Sequence, residues 1–372
     1  MVSGSASAVS GSGVAVIAGA FACLAVICGW VWRAYGRTAC AVTASFGAAA
    51  LICIRIAYEV LPVEQWRAGS LPRSLAVFAV PALAALILYA RVRRDDPAVA
   101  HPPDAALSRP LEAPVPHRLD PSVPQRLEAA VVHAPGSAPG LLATTPRLQA
   151  SATKADATWK GMGLIAIFWL TPSTLLYVSQ LQPFGGRGFL PGLVWWSTTC
   201  IAIYVAVPVG YALINGERIR GYGLSLAFLR TEASLFLLIA PVIGVLVWLV
   251  SADERFQRTY PFYRMVDGDP GATWKLIVFE ILYGLSFVAL EFYFRGFMVH
   301  AGAAVFGVHC VPVMAFFYCL LHLGKPMPEC AASLIGGLIL GYLSLKLRSI
   351  AVGVAAHLTL AWGVDAAVLS RK

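Results

Sequence analysis

Apolar runs long enough to cross a lipid bilayer recur along this 372-residue chain, the first beginning at Val14 and the last ending at Leu369. Charged residues make up only 13% of the sequence, and the mean hydropathy is +0.72. A helix needs about 20 apolar residues to cross the hydrocarbon core, and none of the runs has the alternating pattern of a barrel strand. Because a segment in lipid must satisfy its own backbone hydrogen bonds, the runs predict an all-α, polytopic membrane helix bundle.

The runs fall into two blocks separated by a segment of different composition. The first block predicts three helices and the second seven, about ten transmembrane helices in all, near residues 14–32, 39–62, 73–90, 160–178, 191–214, 232–252, 274–302, 304–323, 329–345 and 349–369. Between the blocks, eleven of the 24 prolines lie from Pro97 to Pro146. Such a segment cannot hold a helix or bury a core. The sequence therefore predicts an N-terminal three-helix membrane segment (1–90), a disordered linker outside the membrane (91–158) and a second membrane domain (159–372).

The charges and cysteines limit the partners. The net charge is +9 at pH 7, but the basic residues lie in short loops, where they orient the helices and contact anionic lipid; nucleic acid is not an expected partner. The loops that the helix count places on one side carry Arg91, Arg93, Arg94, Arg218, Arg220, Arg230, Lys346 and Arg348. The positive-inside rule makes this side cytoplasmic and the N-terminus external, although Arg371 and Lys372 fall on the external side. The eight cysteines lie in or beside apolar runs and predict small buried residues rather than disulfides.

Two charged residues interrupt one of the apolar runs. Glu291 and Arg295 lie four residues apart, on one face of a predicted helix. An ionised group in hydrocarbon costs at least a few kcal/mol, so it persists where it faces a protein interior and has a partner. The pair is therefore either a structural ion pair that holds two helices together or part of a functional site.

Other polar residues of the last four predicted spans favour a functional site. They are Glu280, Glu291, Arg295, His309, His322, Glu329, His357 and Asp365. Glu280 precedes Glu291 by eleven residues, about three helical turns, and Asp365 lies about two turns beyond His357. At a rise of about 1.5 Å per residue, Glu291, His322 and His357 fall at similar depths on three different helices. We therefore expect these three side chains to meet in one cavity.

The expected chemistry is the activation of water. A carboxylate in an apolar cavity becomes a better general base, and an imidazole can share the water or stabilise an oxyanion once protonated. The rival use of Glu291, His322 and His357 is a zinc site with water as the fourth ligand. No HExxH pair or other dense ligand spacing supports zinc, and the expectation is a site without a metal or other cofactor.

At these residues the sequence resembles the CPBP family of intramembrane proteases, which includes the CAAX prenyl endopeptidases and bacterial bacteriocin-processing and immunity proteins. The family's first motif, two adjacent Glu followed by three residues and an Arg, corresponds to Leu290-Glu291-Phe-Tyr-Phe-Arg295. Its second, Phe-x-x-x-His, corresponds to Tyr318-Cys-Leu-Leu-His322, and its third, His-x-x-x-Asn or similar, to His357-Leu-Thr-Leu-Ala361. The resemblance is strong over about the last 100 residues and weak from Trp159; the first block and the linker lie outside it.

Three positions depart from the family pattern. Leu290 stands where the family has the Glu assigned to activating water, Tyr318 replaces Phe, and Ala361 replaces an oxyanion-stabilising Asn. The segment Lys325-Pro-Met-Pro-Glu329 is similar to one that follows the histidine in a bacterial subgroup with a single-Glu motif. The resemblance implies that Glu291, or Glu329 reaching in from its helix start, replaces the missing carboxylate.

The sequence thus leads to two hypotheses for a multi-pass protein of the bacterial plasma membrane. The first is a glutamate-type intramembrane endopeptidase that cleaves a membrane-associated protein or peptide. Glu291 and His322 would activate water, Arg295 would fix the carboxylate and His357 would stabilise the oxyanion, with Tyr318, Lys325, Glu329, Glu280 and Asp365 in supporting positions. The second is a catalytically inactive scaffold or immunity-type protein of the same fold, which the apolar Leu290 and Ala361 favour.

Overall fold

The fold is a bundle of α-helices, seen in a computed structural model that describes residues 5–60, 75–95, 146–181, 183–184, 189–224, 228–266 and 268–371. The helices are α1 (Ser5–Val60), α2 (Ala79–Asp95), α3 (Pro146–Leu181), α4 (Leu190–Asn215), α5 (Phe228–Val250), α6 (Glu254–Thr259), α7 (Ala272–Glu291), α8 (Val299–Phe306), α9 (Cys310–Leu320), α10 (Met327–Leu347) and α11 (Ala351–Leu369). A π-helix, Phe292–Met298, joins α7 to α8. Short 3₁₀ turns cover Ile219–Gly221 and Gly307–His309.

Helix α1 is a hairpin of two antiparallel arms. Eight helical stretches among the described residues are long and apolar enough to cross a membrane, and the first, Val14–Tyr58, has 45 residues. Gly36 breaks it with φ 88° and ψ 179°, a conformation open to glycine. A Cβ on Gly47 would lie 2.6 Å from Cδ1 of Leu24. In a straight helix these two residues would be about 35 Å apart, so the chain reverses at Gly36.

A second reversal occurs in the longest stretch, Ala272–Leu320, which has 49 residues. The chain turns at Gly307, with φ 57° and ψ −140°. The rings of Phe294 and Tyr318 then meet with centroids 5.1 Å apart, whereas a straight helix would separate them by about 36 Å. Counting both hairpins, the described residues make ten helical passes, which confirms the predicted polytopic all-α bundle of about ten.

Helix α9 is shorter than its predicted span. It has eleven residues, all of them buried, and is about 16 Å long. It packs between the π-helix and α10, where a Cβ on Gly337 would lie 3.3 Å from Cδ1 of Tyr318. Its central position lets α9 carry side chains toward helices on several sides.

The first block packs directly on the second. Tyr35 in the α1 turn stacks on Tyr342 of α10 with ring centroids 5.4 Å apart. The Tyr342 hydroxyl is 2.6 Å from Oγ1 of Thr43. At the other end of α1, the Tyr58 hydroxyl donates a hydrogen bond to the carbonyl oxygen of Lys325. Although α1 lies outside the family resemblance, it supports the helices that carry the candidate site.

Helix extends into both ends of the predicted linker. Helix α2 continues to Asp95, and α3 begins at Pro146, thirteen residues before the expected boundary at 159. Proline is favoured in the first turn of a helix, and the Ala-rich sequence that follows has high helix propensity. Most of the predicted linker, residues 96–145, lies outside the described residues.

The basic loops after α4 and before α11 lie on the same side of the bundle. The amide of Ile350 donates to the carbonyl oxygen of Gly223, 3.1 Å away. The basic end of α2 is close to the turn before α9, because the rings of Tyr89 and Phe306 meet at 6.2 Å. This grouping is the one that the helix count requires, and the cytoplasmic assignment of that side stays a prediction.

Candidate active site

The candidate site is built around the ion pair that interrupts the apolar sequence. Glu291 ends α7 and Arg295 lies in the π-helix, in which all seven residues are buried. Nη1 of Arg295 lies 3.1 Å from Oε1 of Glu291, and the two side chains are 1% and 0% exposed. A π-helix is a rare widening that is often found at functional sites. It leaves the carbonyl of Arg295 to accept a hydrogen bond from Oγ of Ser344, 2.9 Å away.

Two glycines allow other segments to approach this pair. A Cβ on Gly296 would lie 2.7 Å from the carbonyl oxygen of Tyr222. A Cβ on Gly353 of α11 would collide with Oε2 of Glu291. Any larger residue at Gly353 would therefore push α11 away from the carboxylate.

His357 connects the carboxylate to a second helix and a hydroxyl. Its Nδ1 lies 2.5 Å from Oε1 of Glu291, and its Nε2 lies 2.8 Å from the hydroxyl of Tyr318 on α9. Its ring stacks on Phe287 with centroids 5.1 Å apart and an interplanar angle of 16°. Both nitrogens have a partner, so the position and rotation of the imidazole are fixed.

Tyr318 joins the second histidine to the same group. The ring centroids of Tyr318 and His322 are 4.8 Å apart, and the Arg295 Cζ lies 4.0 Å from the Tyr318 ring centroid. Nδ1 of His322 is 3.1 Å from the carbonyl oxygen of Tyr318, which can only accept a hydrogen bond. A neutral His322 therefore carries its proton on Nδ1 and leaves Nε2 as the basic nitrogen.

The structure thus brings together five of the predicted site residues, here called the central cluster: Glu291, Arg295, Tyr318, His322 and His357. They come from the junction of α7 with the π-helix, from α9 and its end, and from α11. Oε1 of Glu291 has two partners, whereas Oε2 is buried without a hydrogen-bond partner among the described residues. An acceptor buried without a partner is costly, and this oxygen, which faces Gly353 of α11, is the one that retains unused capacity to accept a hydrogen bond.

Residues 270–363 match the family model described as type II CAAX prenyl endopeptidase Rce1-like. This segment is Rce1-like. The match confirms the resemblance to the CAAX-protease-like family over the part of the chain that carries all three motifs and the whole central cluster. It leaves out α1 to α6. No match was found among curated proteins or among solved structures.

Two predicted supporting residues near α10, Lys325 and Glu329, form a second group with Tyr260, here called the outer cluster. Nζ of Lys325 lies 2.6 Å from Oε1 of Glu329, and the Tyr260 hydroxyl donates to both carboxylate oxygens at 2.9 and 3.0 Å. Burial, together with the charge of Glu329, raises the pKa of Tyr260 well above its ordinary value, so the phenol stays a donor. Both oxygens of Glu329 are thus engaged outside the central cluster.

Glu280 and Asp365 form a third group, here called the carboxyl pair, of which Glu280 lies within the Rce1-like segment and Asp365 two residues beyond its end. They lie on α7 and α11 and interact with each other. Their four carboxyl oxygens are buried, and none has a hydrogen-bond partner among the described residues. The backbone carbonyl of Glu280 accepts a hydrogen bond from Nε1 of Trp362, 3.2 Å away. The pair lies about two to three helical turns from the central cluster.

Several residues that shape the site escaped the sequence reasoning. Gly353 lies one turn before His357 on the same helix face. A small residue at that spacing could have indicated a close approach of another segment to this face. Phe287 and Tyr260 carry no signal that sets them apart from other aromatic residues. His300 lies within a predicted span but was absent from the polar set; its Nε2 is 3.2 Å from Oγ of Ser344, which also bonds the π-helix.

The central cluster does not fit a zinc site. Within the described parts of the chain, no group of three His, Cys, Asp or Glu side chains is arranged to hold a metal ion. Nδ1 of His357 is directed at Glu291 and Nε2 at Tyr318, so the ring would have to break one of these contacts to bind a metal. The guanidinium of Arg295 next to Glu291 also disfavours a dication by charge repulsion.

Proposed function

We propose that this protein is an intramembrane endopeptidase that hydrolyses a peptide bond in a membrane-associated protein or peptide. The observation that carries the proposal is the buried Glu291, ion-paired with Arg295 and hydrogen-bonded to His357, with His322 joined to the group through Tyr318. The Rce1-like match over the same segment supports it. The similarity of the Lys325 to Glu329 segment to a bacterial subgroup supports a bacterial plasma membrane as the location.

Each member of the central cluster has a role in the proposed reaction. His322 Nε2 and Glu291 Oε2 hold a water molecule and take up its proton, while the water oxygen bonds to the carbonyl carbon of the substrate. The carbon–nitrogen bond then breaks with its electron pair going to nitrogen, which receives the proton back from the base. Arg295 keeps the Glu291 carboxylate ionised and oriented. His357, whose two ring nitrogens contact Glu291 and Tyr318, stabilises the negative charge that develops on the substrate oxygen through its electrostatic field rather than through a direct hydrogen bond.

The test is a search for protein fragments whose formation depends on Glu291. Membranes from cells that express the wild type or Glu291→Gln are compared by mass spectrometry of new protein termini. The matched control is Glu232→Gln, because Glu232 is also buried and accepts a hydrogen bond, from Oγ of Ser349 at 3.0 Å, but lies outside the central cluster. We expect a set of termini in the wild type and the control that disappears in Glu291→Gln and in His322→Ala.

A non-catalytic scaffold or immunity-type protein is the second candidate. The observation that favours it is the apolar surrounding of Ala361, which packs with Tyr283 and Phe279 where the resemblance implies an amide. In that case the same termini would be found in all four strains. A membrane peptide would instead be retained by the purified wild type and by Glu291→Gln alike.

A further inference from the structure

Tyr318 is a hydroxyl-bearing residue within reach of the proposed reaction, at a position where the resemblance implies phenylalanine. Its hydroxyl is 2.8 Å from Nε2 of His357, and the whole side chain is buried at 2% exposure. A buried phenol in an apolar bundle is retained where it makes a hydrogen bond. We propose that the Tyr318 hydroxyl is a catalytic group, the hydrogen-bond donor to the oxyanion formed during peptide hydrolysis. This inference rests on the proposed endopeptidase function.

The direction of the hydrogen bond to His357 decides whether the phenol can serve as a donor. When His357 is neutral and carries its proton on Nδ1, next to Glu291, its Nε2 accepts the Tyr318 proton. When His357 is an imidazolium, Nε2 donates to the phenolic oxygen, and the Tyr318 O–H is free to point at another acceptor. Nδ1 of His357 lies 2.5 Å from Oε1 of the Glu291 carboxylate, which can only accept, so this contact keeps a proton on Nδ1 in both cases. The carboxylate and imidazole therefore set the direction in which the phenol donates.

The surroundings of the Tyr318 ring suit a donor to an oxyanion. The Arg295 Cζ lies 4.0 Å from the ring centroid, and a cation over the ring face favours negative charge nearby. Phe294 packs edge-on against the ring at 5.1 Å and helps to hold it in place. Tyr318 lies one turn before His322 on the same chain segment, with the rings 4.8 Å apart. The proposed base and the proposed donor are therefore neighbours, as attack on one carbonyl group requires.

The chain also lacks the other donor that the resemblance implies. Ala361 has a methyl group in place of an amide and is 7% exposed in an apolar cluster. It lies on α11, one turn beyond His357, whereas Tyr318 approaches His357 from α9. In the proposed reaction the hydroxyl at 318, which contacts His357 from α9, takes the place of the amide missing at 361.

The experiment measures kcat and KM of Tyr318→Phe on a substrate taken from the Glu291-dependent termini. Phenylalanine keeps the ring contacts and removes only the hydroxyl. We expect kcat to fall about 100- to 1,000-fold, the loss typical of one oxyanion donor, with KM within about threefold of the wild type. The matched control is Tyr342→Phe, which removes a buried hydroxyl bonded to Thr43 in the same bundle and should leave kcat unchanged.

A double variant tests the replacement directly. Adding Ala361→Asn to Tyr318→Phe should raise kcat at least tenfold above that of the single variant. This is on the order of half the barrier reduction that one donor supplies. A Tyr318→Phe enzyme with the kcat of the wild type would overturn the inference while leaving the endopeptidase intact. Activity that is insensitive to Glu291→Gln would instead overturn the proposed function itself.

If Tyr318→Phe fails to fold, incorporation of 3,5-difluorotyrosine at 318 retains the ring and the hydroxyl. The fluorinated phenol is a stronger hydrogen-bond donor, so kcat should differ from that of the wild type while KM stays within about threefold. The titratable and charged groups around the phenol are Glu291, Arg295, His322, Glu329, His357, Tyr204 and Tyr283, and the fluorines remove none of them. A kcat equal to that of the wild type would contradict a donor role for the hydroxyl.

Discussion

Two groups of buried acids on the same helix differ in what surrounds them. Glu291, at the end of α7, has Arg295 at 3.1 Å and His357 at 2.5 Å. Glu280, eleven residues earlier, faces Asp365, and neither acid has a hydrogen-bonded partner among the described residues. The sequence places both acids on one inward stripe. The difference shows that a buried carboxylate is identified as a candidate base by its partners on other helices, because those partners determine whether it is ionised and where it is directed.

The largest expected effect comes from removing the cation of the central cluster. Arg295→Gln leaves the Glu291 carboxylate without its guanidinium, and breaking a buried ion pair costs about 3–5 kcal/mol of unfolding free energy. Denaturant unfolding of the purified protein in detergent measures the loss. The control is Arg258→Gln, which breaks an ion pair whose side chains are each 79% exposed and should cost less than about 1 kcal/mol. Equal losses in the two variants would show that the central pair is not a buried ion pair.

The carboxyl pair should respond in the opposite direction. Asp365→Asn removes one of two acids that repel each other when both are ionised, so the free energy of unfolding should rise by about 1 kcal/mol at pH 8. Glu280→Gln should have the same effect, and combining the two should add little, since either change removes the same repulsion. A loss of unfolding free energy as large as that of Arg295→Gln would show that a cation stabilises the pair.

The outer cluster should matter least for stability. The side chains of Lys325 and Glu329 are 31% and 17% exposed, and a partly hydrated ion pair is worth up to about 1 kcal/mol. Lys325→Met should therefore change the unfolding free energy by no more than this amount. Glu329→Gln should retain peptide cleavage, because Glu291 is the proposed base. Loss of cleavage in Glu329→Gln, with normal folding, would transfer the base to the outer cluster.

No change is expected on exposure to metal chelators. The nitrogens of His357 are directed at Glu291 and Tyr318, and the proposed reaction uses side chains alone. Cleavage rates before and after exhaustive chelation should agree within about twofold. Stoichiometric zinc in tag-free protein that is lost in His322→Ala would assign these side chains to a metal site instead.

The sequence predicted the central cluster from spacing and from charge in an apolar setting. Glu291, Arg295, His322 and His357 stand out because ionisable side chains in a spanning helix are costly unless they converge. The contacts of the cluster were harder to predict. Three features depend on how three helices pack: the direct contact between His357 and Glu291, the space that Gly353 leaves for the carboxylate, and the π-helix. No local sequence pattern predicts that packing.

The helix boundaries show the same limit. Hydrophobicity located the α1 hairpin and both passes between Ala272 and Leu320, since about 20 apolar residues are needed for each crossing. It could not show that α9 stops after eleven residues, because the apolar sequence continues through Leu321 and Leu323. It also gave no reason to join the first block to the second, although Tyr35 and Tyr58 contact α10 and the turn before it.

The shortness of α9 has a consequence for hydration. Helix α11 continues twelve residues past His357, about 18 Å, and α7 begins nineteen residues before Glu291, about 28 Å. Helix α9, in contrast, ends two residues before His322, and the turn that follows it is only partly buried. Backbone that is not helical persists at membrane depth only where protein covers it or water wets it. Because the turn is partly exposed between longer helices, we expect water to reach His322 from this face of the bundle.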